Sequence, residues 1–139
     1  MEIEYFLVAD SANGGPDGKV NALGIGVRVL SYERLPAATP LAILLHISAR
    51  PGEVHEIPIQ LSLTEPDGTR EILVDTVAPI NATVNDERVP TGINLQLGLV
   101  RPYRIEGVHR FEVQAGELRR SYDVVVRVGQ LPEAPVAQT

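Results

Sequence analysis

The last third of the chain contains two runs of alternating apolar and polar residues, and this alternation constrains the fold more than any other feature. Every second residue is apolar across residues 111–115 and again across residues 122–128, and Gly116 lies in the break between them. Because successive side chains of a strand point to opposite faces, each run predicts a strand with one buried and one wet face. Two such strands around a glycine-containing break predict an antiparallel hairpin.

Alternating or fully apolar segments recur along the rest of the chain. They cover residues 3–9, 20–30, 41–49, 55–63, 71–77 and 93–99. Turn-forming residues separate them, most clearly at residues 65–68, where Pro66 suits the second turn position and Gly68 accepts a positive φ. Twelve glycines and eleven prolines also disfavour a helical bundle, since both residue types interrupt helices. We therefore predict an all-β fold, an antiparallel β-sandwich of about eight strands with no major helix.

A single domain is expected over residues 1–129. The chain has 139 residues, of which 44% are hydrophobic, and this is enough for one core. Residues 130–139 include Pro132 and Pro135 and show no apolar periodicity. We expect them to form a flexible C-terminal tail.

The first predicted strand, residues 3–9, is apolar on both faces. Tyr5 and Leu7 lie on one parity, and Phe6 and Val8 lie on the other. A terminal strand normally lies at a sheet edge, where one side of its backbone is unpaired. We expect the sandwich to cover one face and a partner, a second copy or a folded-over loop to cover the other. Aspartate at positions 6 and 8 is then expected to break an assembly and to spare the monomer.

Arginines cluster near the last predicted hairpin. Arg119 and Arg120 precede its second run, and Arg127 lies within it. Guanidinium groups pair well with carboxylates, so Arg119 and Arg120 are candidate contacts for an acidic partner. The alternative is ordinary surface charge opposing Glu112 and Asp123, because exposed pairs are common and weak.

Catalytic and metal-binding patterns are not evident. The chain has no cysteine, which excludes thiolate zinc sites, cysteine nucleophiles and disulfides. His46, His55 and His109 do not show HxH or HExxH spacing, and no GxSxG sequence frames a serine. One semi-buried and two surface histidines are expected instead. We predict no catalytic residue, cofactor or metal, and no enzymatic activity.

Two groups of acidic residues offer weaker alternatives. Asp10, Asn13 and Asp17 flank a glycine-rich segment and could supply oxygen ligands to calcium, although their spacing does not match an EF-hand loop. Aspartate and asparagine are also ordinary turn formers. Asp86 and Glu87 are adjacent in a polar segment, where solvated carboxylates are expected.

Charge and hydropathy limit the partners and the compartment. A formal net charge of -6 would repel a phosphate backbone, so nucleic acid is not expected. No apolar run is long enough to cross a bilayer, and residues 1–4 lack the positive charge that opens a signal peptide. We expect a cytoplasmic protein, or one assembled into a virion from the cytoplasm, without membrane association.

Several segments resemble a family of small bacterial and bacteriophage proteins catalogued as a domain of unknown function. The segments are residues 6–10, residues 18–24, the turn at residues 65–68 and the hairpin at residues 107–128. The resemblance implies an immunoglobulin-like sandwich and contributes no catalytic residue.

These observations favour a non-catalytic protein that acts through protein–protein contact, as an accessory or structural subunit of a bacterial or bacteriophage assembly. The alternative is a small-ligand or carbohydrate-binding module that uses the loops at one end of the sandwich. The absence of tryptophan and the presence of only four tyrosines count against it, because sugars stack on aromatic side chains.

Overall fold

The computed structural model describes residues 1–15, 19–50, 56–79, 88 and 91–129. This part of the chain forms eleven strands and no helix, and it therefore contains no helix that could span a membrane. The strands are β1 (Glu2–Gly14), β2 (Val20–Ile25), β3 (Val29–Tyr32), β4 (Ala37–Ala38), β5 (Leu41–Ala49), β6 (Glu56–Thr64), β7 (Arg70–Pro79), β8 (Thr91–Leu99), β9 (Pro102–Tyr103), β10 (Gly107–Ala115) and β11 (Leu118–Val128).

The strands form three sheets. The first has the order β2-β1-β5-β8, the second β3-β11-β10-β6-β7, and a third small sheet pairs β4 with β9. All pairs are antiparallel except β3 with β11, which is parallel. Apolar side chains of β1 and β5 from the first sheet and of β6, β10 and β11 from the second form one core. The all-β prediction is confirmed, with eleven strands instead of about eight.

The predicted hairpin around Gly116 and the predicted turn at residues 65–68 are both present. In β10–β11, Phe111 lies opposite Tyr122, and Gly116 occupies the turn with φ 59°. In β6–β7, the Gly68 amide donates to the Glu65 carbonyl at 2.9 Å, and Gly68 has φ 89°. These positive φ values are costly for residues that carry a Cβ.

Residues 20–30 form two strands in different sheets, where the sequence predicts one. Gly26, with φ 96°, lies between them, so β2 remains in the first sheet and β3 crosses to the second. Alternation does not reveal this change of sheet, because half-buried strands have the same period on either side of a sandwich. The predicted tail at residues 130–139 and most of the segment between β7 and β8 lie outside the described residues.

The prediction that the first strand lies at a sheet edge holds for residues 3–7, which pair only with β5 among the described strands, and not for the continuation of the strand beyond Val8. The first half of β1 pairs with β5, with Phe6 opposite Leu45, and its second half pairs with β2, with Ser11 opposite Leu23. The strand continues to Gly14 through a segment that was predicted to be a loop. Residues 10–14 are polar or small, so this extension shows no apolar alternation in the sequence. Within the described residues, the first sheet is bordered on one side by β2 and the first half of β1 and on the other by β8, and the edge strands of the second sheet are β3 and β7.

The β1–β2 hairpin also explains how the outer face of the first sheet is covered. Ala42 and Leu44 point away from the core residues of β5, yet they are only 5% and 3% exposed. A Cβ added to Gly14, at the hairpin tip, would lie 3.0 Å from Nε2 of Gln96 on β8. The tip therefore lies over β5, and the chain's own hairpin covers part of the outer apolar face of this sheet.

Candidate binding site at the open edge of the sandwich

The four apolar residues proposed for partner contact on β1 divide between two environments. Phe6 and Val8 belong to the core and are 5% and 0% exposed, so they do not form an outer face that a partner could cover. Tyr5 and Leu7 are half-buried on the outer face. Aspartate at positions 6 and 8 would therefore disrupt the fold itself, contrary to the expectation from sequence.

The two candidate arginines on β11 also differ. Both are exposed, but the Arg120 guanidinium donates a 2.7 Å hydrogen bond to the Ile3 carbonyl of β1. Arg120 thus joins the first and last long strands and closes this side of the sandwich. Asp123 is paired with Arg110, whose Nε lies 2.8 Å from the carboxylate. This bond lowers the pKa of Asp123.

Tyr5 belongs to a polar cluster on the outer face of the first sheet. Its hydroxyl donates to Oδ1 of Asn94 at 2.9 Å, and its ring stacks on His46 with 5.5 Å between centroids. His46 in turn lies 3.2 Å from the Glu4 carboxylate. These contacts connect β1, β5 and β8 and hold the Tyr5 ring within the molecule, and burial raises the pKa of its hydroxyl.

The two histidines that the structure describes, His46 and His109, do not converge. His109 is fully buried, whereas the sequence predicts no histidine that is more than semi-buried, and its Nε2 lies 2.8 Å from the Ile105 carbonyl. His46 lies in another sheet, and His55 is outside the described residues. Within the described part of the chain, no group of three His, Asp or Glu side chains could hold a metal. Asp10 lies against Gly24, and Asp17 is not among the described residues.

The side of the sandwich opposite to Arg120 is open and contains an apolar cleft. The cleft has a volume of about 250 Å³ and lies between β7 and β8. The lining residues from the core strands are Phe6, Ile43, Leu45, Ile59, Leu61 and Val113, and those at the mouth are Val74, Thr76, Leu95, Gln96 and Leu97.

The cleft is open because β7 and β8, the edge strands on either side of it, do not fully cover each other. The apolar residues of β8 on the core side are only half-buried, unlike their neighbours on β5; they are Ile93, Leu95, Leu97 and Leu99. On β7, the cleft residue Val74 is half-buried and the cleft residue Thr76 is exposed. Core-facing side chains at this edge therefore remain in contact with water, which is unfavourable unless another molecule covers them.

The lining determines what the cleft can do chemically. None of its lining residues is titratable, and the only polar ones are Thr76 and Gln96, of which Gln96 alternates with the core-facing Leu95 and Leu97 and directs its amide to the outer face. General acid–base or nucleophilic catalysis needs an ionisable or activated group. The cleft is therefore suited to holding apolar side chains or a small apolar molecule.

The edge of β8 beside the cleft lacks the features that protect exposed strands. Natural edges carry charges or proline, or they are short or interrupted. Strand β7 has Glu71, Asp75 and Pro79, β2 is interrupted by Gly24 with φ 65°, and β3 has four residues. Strand β8 has nine residues without a charge or a proline. No described strand pairs with its outer edge.

Sequence reasoning missed this edge because it assumed that the terminal strand is the exposed one. The available signal was the lack of any charged residue across residues 91–99. Most other predicted strands have at least one.

Comparisons with solved structures give only distant similarity. A β-glucosidase from Listeria innocua in complex with isofagomine is 12% identical with a TM-score of 0.45, and the match covers 94% of this chain and 17% of that one. The same enzyme without a named ligand is 11% identical with a TM-score of 0.44, covering 91% and 16%. The chain thus spans about a sixth of the length of these structures.

No curated protein matches the sequence. Residues 4–127, from the first half of β1 to near the end of β11, match the family described as a family of unknown function, DUF6941. The chain belongs to this family.

Proposed function

We propose that the protein is a non-catalytic interaction subunit that accepts an extended segment of another polypeptide along β8. The observation that carries the proposal is a strand edge without charge or proline, to which no described strand is paired, next to an apolar cleft. An added strand would pair its backbone with the free edge, and alternate side chains would enter the cleft. In this mode of recognition, main-chain hydrogen bonds supply affinity and side-chain pockets supply specificity.

We also propose that the sandwich is immunoglobulin-like. In that arrangement, strands A, B, E and D form one sheet, and G, F and C form the other, extended by C′ in the variable type. The order β1-β5-β8 corresponds to A-B-E, and β11-β10-β6-β7 corresponds to G-F-C-C′. Strand D would lie along the free edge of β8. The proposed binding edge is thus a position that a strand occupies in the complete immunoglobulin arrangement.

The biological setting is inferred from composition and from the resemblance described above. An acidic chain with a net charge of -6 is unsuited to nucleic acid. Similarity to small bacterial and bacteriophage proteins favours an accessory or structural subunit of an assembly, formed in the cytoplasm or carried into a virion.

A small apolar ligand is the second candidate, because the cleft is lined mainly by aliphatic side chains. Its volume of about 250 Å³ lies below the usual range for ligand pockets, which begins at about 300 Å³. A carbohydrate fits less well, because Phe6 is the only aromatic lining residue and only two lining residues are polar.

Site-specific photo-crosslinking in the cells from which the protein comes tests the main proposal. A benzophenone amino acid would replace Gly98, where an added Cβ meets nothing within 4 Å. The matched control replaces Leu23, which is 73% exposed on β2, the other edge strand of the same sheet. We expect position 98, and not position 23, to form a covalent adduct with a polypeptide. Equal adducts at both positions, or none at position 98, would refute the proposal.

A further inference from the structure

Strand β8 has a sequence that is nearly symmetric about its centre. Residues 92–98 read Gly-Ile-Asn-Leu-Gln-Leu-Gly, with Leu95 at the middle. Each step away from Leu95 meets the same kind of residue in both directions: an amide, then an aliphatic residue, then a glycine. No charge interrupts the pattern.

We infer that the polypeptide accepted by β8 is a second copy of the same chain, paired antiparallel about a twofold axis at Leu95. This inference rests on the proposed function, since it names the partner of the same edge. A twofold axis requires each residue of one strand to face its symmetric counterpart on the other. A strand with a symmetric pattern satisfies this requirement along its whole length.

The register places like residues opposite each other on both faces. On the core-facing side, Leu95 would face Leu95 of the second copy, and Ile93 would face Leu97. On the outer side, Asn94 would face Gln96, and Gly92 would face Gly98. Cross-strand aliphatic and amide pairs stabilise antiparallel sheets. The two four-stranded sheets would join into one of eight strands, and the two apolar clefts would lie next to each other across the axis.

Charge favours this edge over β7 as the self-association surface. Two copies that each have a net charge of -6 repel one another on average. Self-pairing of β7 would bring Glu71 and Asp75 close to the acidic residues of the second copy, and closely opposed like charges are destabilising. Self-pairing of β8 brings no charged residue of the strand into the new ladder.

The cysteine-free chain allows a direct test of partner and register. We expect light scattering to give about twice the 15.1 kDa of one chain. Under mild oxidation, Leu95→Cys should form a disulfide-linked dimer, because directly opposed residues have Cβ atoms about 5 Å apart. Leu97→Cys is the matched control, with the same residue type on the same face. Its two copies would lie four residues apart along the ladder, about 13 Å, and should not be linked.

A mixture of Ile93→Cys and Leu97→Cys proteins tests the same register and leaves Leu95, the residue at the twofold axis, unchanged. We expect a linked heterodimer from the mixture and no linked dimer from either protein alone. A monomeric protein in which neither Leu95→Cys nor the mixture is linked overturns the inference, as does linkage of Leu97→Cys at the rate of Leu95→Cys.

The crosslinking experiment at Gly98 separates this failure from failure of the proposed function. An adduct with a different polypeptide, in a protein that does not dimerise, would refute self-pairing and retain the binding edge. The absence of any adduct would refute both.

Discussion

Tyr103 provides a quantitative test of the packing between the small sheet and the core. Its side chain is 1% exposed, and its hydroxyl has no hydrogen-bond partner among the described residues. Burial raises its pKa to about 12 from the ordinary value of 10.0, and Tyr32 contributes to the shift. We predict that Tyr103→Phe is at least as stable as the wild type at pH 7. An unsatisfied buried hydroxyl costs about 1 to 3 kcal/mol, and the substitution removes it.

The same substitution should change the response of stability to alkaline pH. Above pH 10 the unfolded chain releases the Tyr103 proton, whereas the folded chain retains it up to pH 12. The favourable contribution is therefore complete below pH 10 and is lost as the pH rises. Each unit of pH in this window corresponds to about 1.4 kcal/mol. The wild type should lose about 1 kcal/mol between pH 10 and pH 11 relative to Tyr103→Phe, and about 2 kcal/mol between pH 10 and pH 12.

The assay is urea denaturation of both proteins at several pH values between 7 and 12, followed by far-UV circular dichroism. Tyr32→Phe is the control. Its hydroxyl bonds to Thr39 Oγ1 at 2.7 Å, so its loss should cost about 1 kcal/mol at pH 7 and leave most of the alkaline decline in place. Parallel stability curves for the wild type and Tyr103→Phe above pH 10 would refute the reasoning.

Three further substitutions test the core, the closed side and the first sheet, each by thermal or urea denaturation. Val8→Asp should destabilise the fold by at least about 4 kcal/mol, because the site is completely buried and offers no counter-ion. Arg120→Ala should cost about 1 to 2 kcal/mol through loss of the bond to the Ile3 carbonyl. Gly92→Ala should cost about 1 to 3 kcal/mol, because its Cβ would lie 2.6 Å from the Ile47 carbonyl oxygen.

Each of these substitutions has a neighbouring control. Leu7→Asp lies next to Val8 on the half-buried outer face and should retain the fold. Arg119→Ala should change stability by less than about 0.5 kcal/mol, as is usual for exposed residues. Gly98→Ala is on the same strand as Gly92 but has open space at its Cβ, so it should be tolerated. If a control is as destabilised as its paired substitution, the corresponding contact does not have the assigned role.

The sequence predicts features that depend on local patterns. The β10–β11 hairpin follows from alternation on both sides of Gly116, and the turn at residues 65–68 follows from Pro66 and Gly68. Both are determined by residues close together in the chain. The sheet to which a strand belongs depends on residues that are distant in the chain, so alternation in residues 20–30 did not reveal the crossover at Gly26.

The candidate site was harder to predict for the same reason. Residues 3–9 are apolar on both faces, and a partner was one explanation, but the chain's own hairpin covers β5, where Leu44 is buried. The half-burial of Leu95 and Leu97 results from the relative positions of β7 and β8 in two sheets. No local pattern determines that arrangement. The lack of charge on β8 could be recognised, but its location at an edge could not.

The parallel pairing of β3 with β11 has a consequence for synthesis of the chain on the ribosome. Residues Val29 to Tyr32 pair only with Val125 to Val128 among the described strands, so β3 is synthesised early and its partner emerges last. The Ile3 carbonyl likewise gains its hydrogen bond only after Arg120 has been synthesised. Such long-range contacts slow folding, because the intervening chain must first be ordered. A nascent chain that has not reached residue 118 cannot complete the five-stranded sheet, so folding of the sandwich should finish only after β11 has left the ribosome.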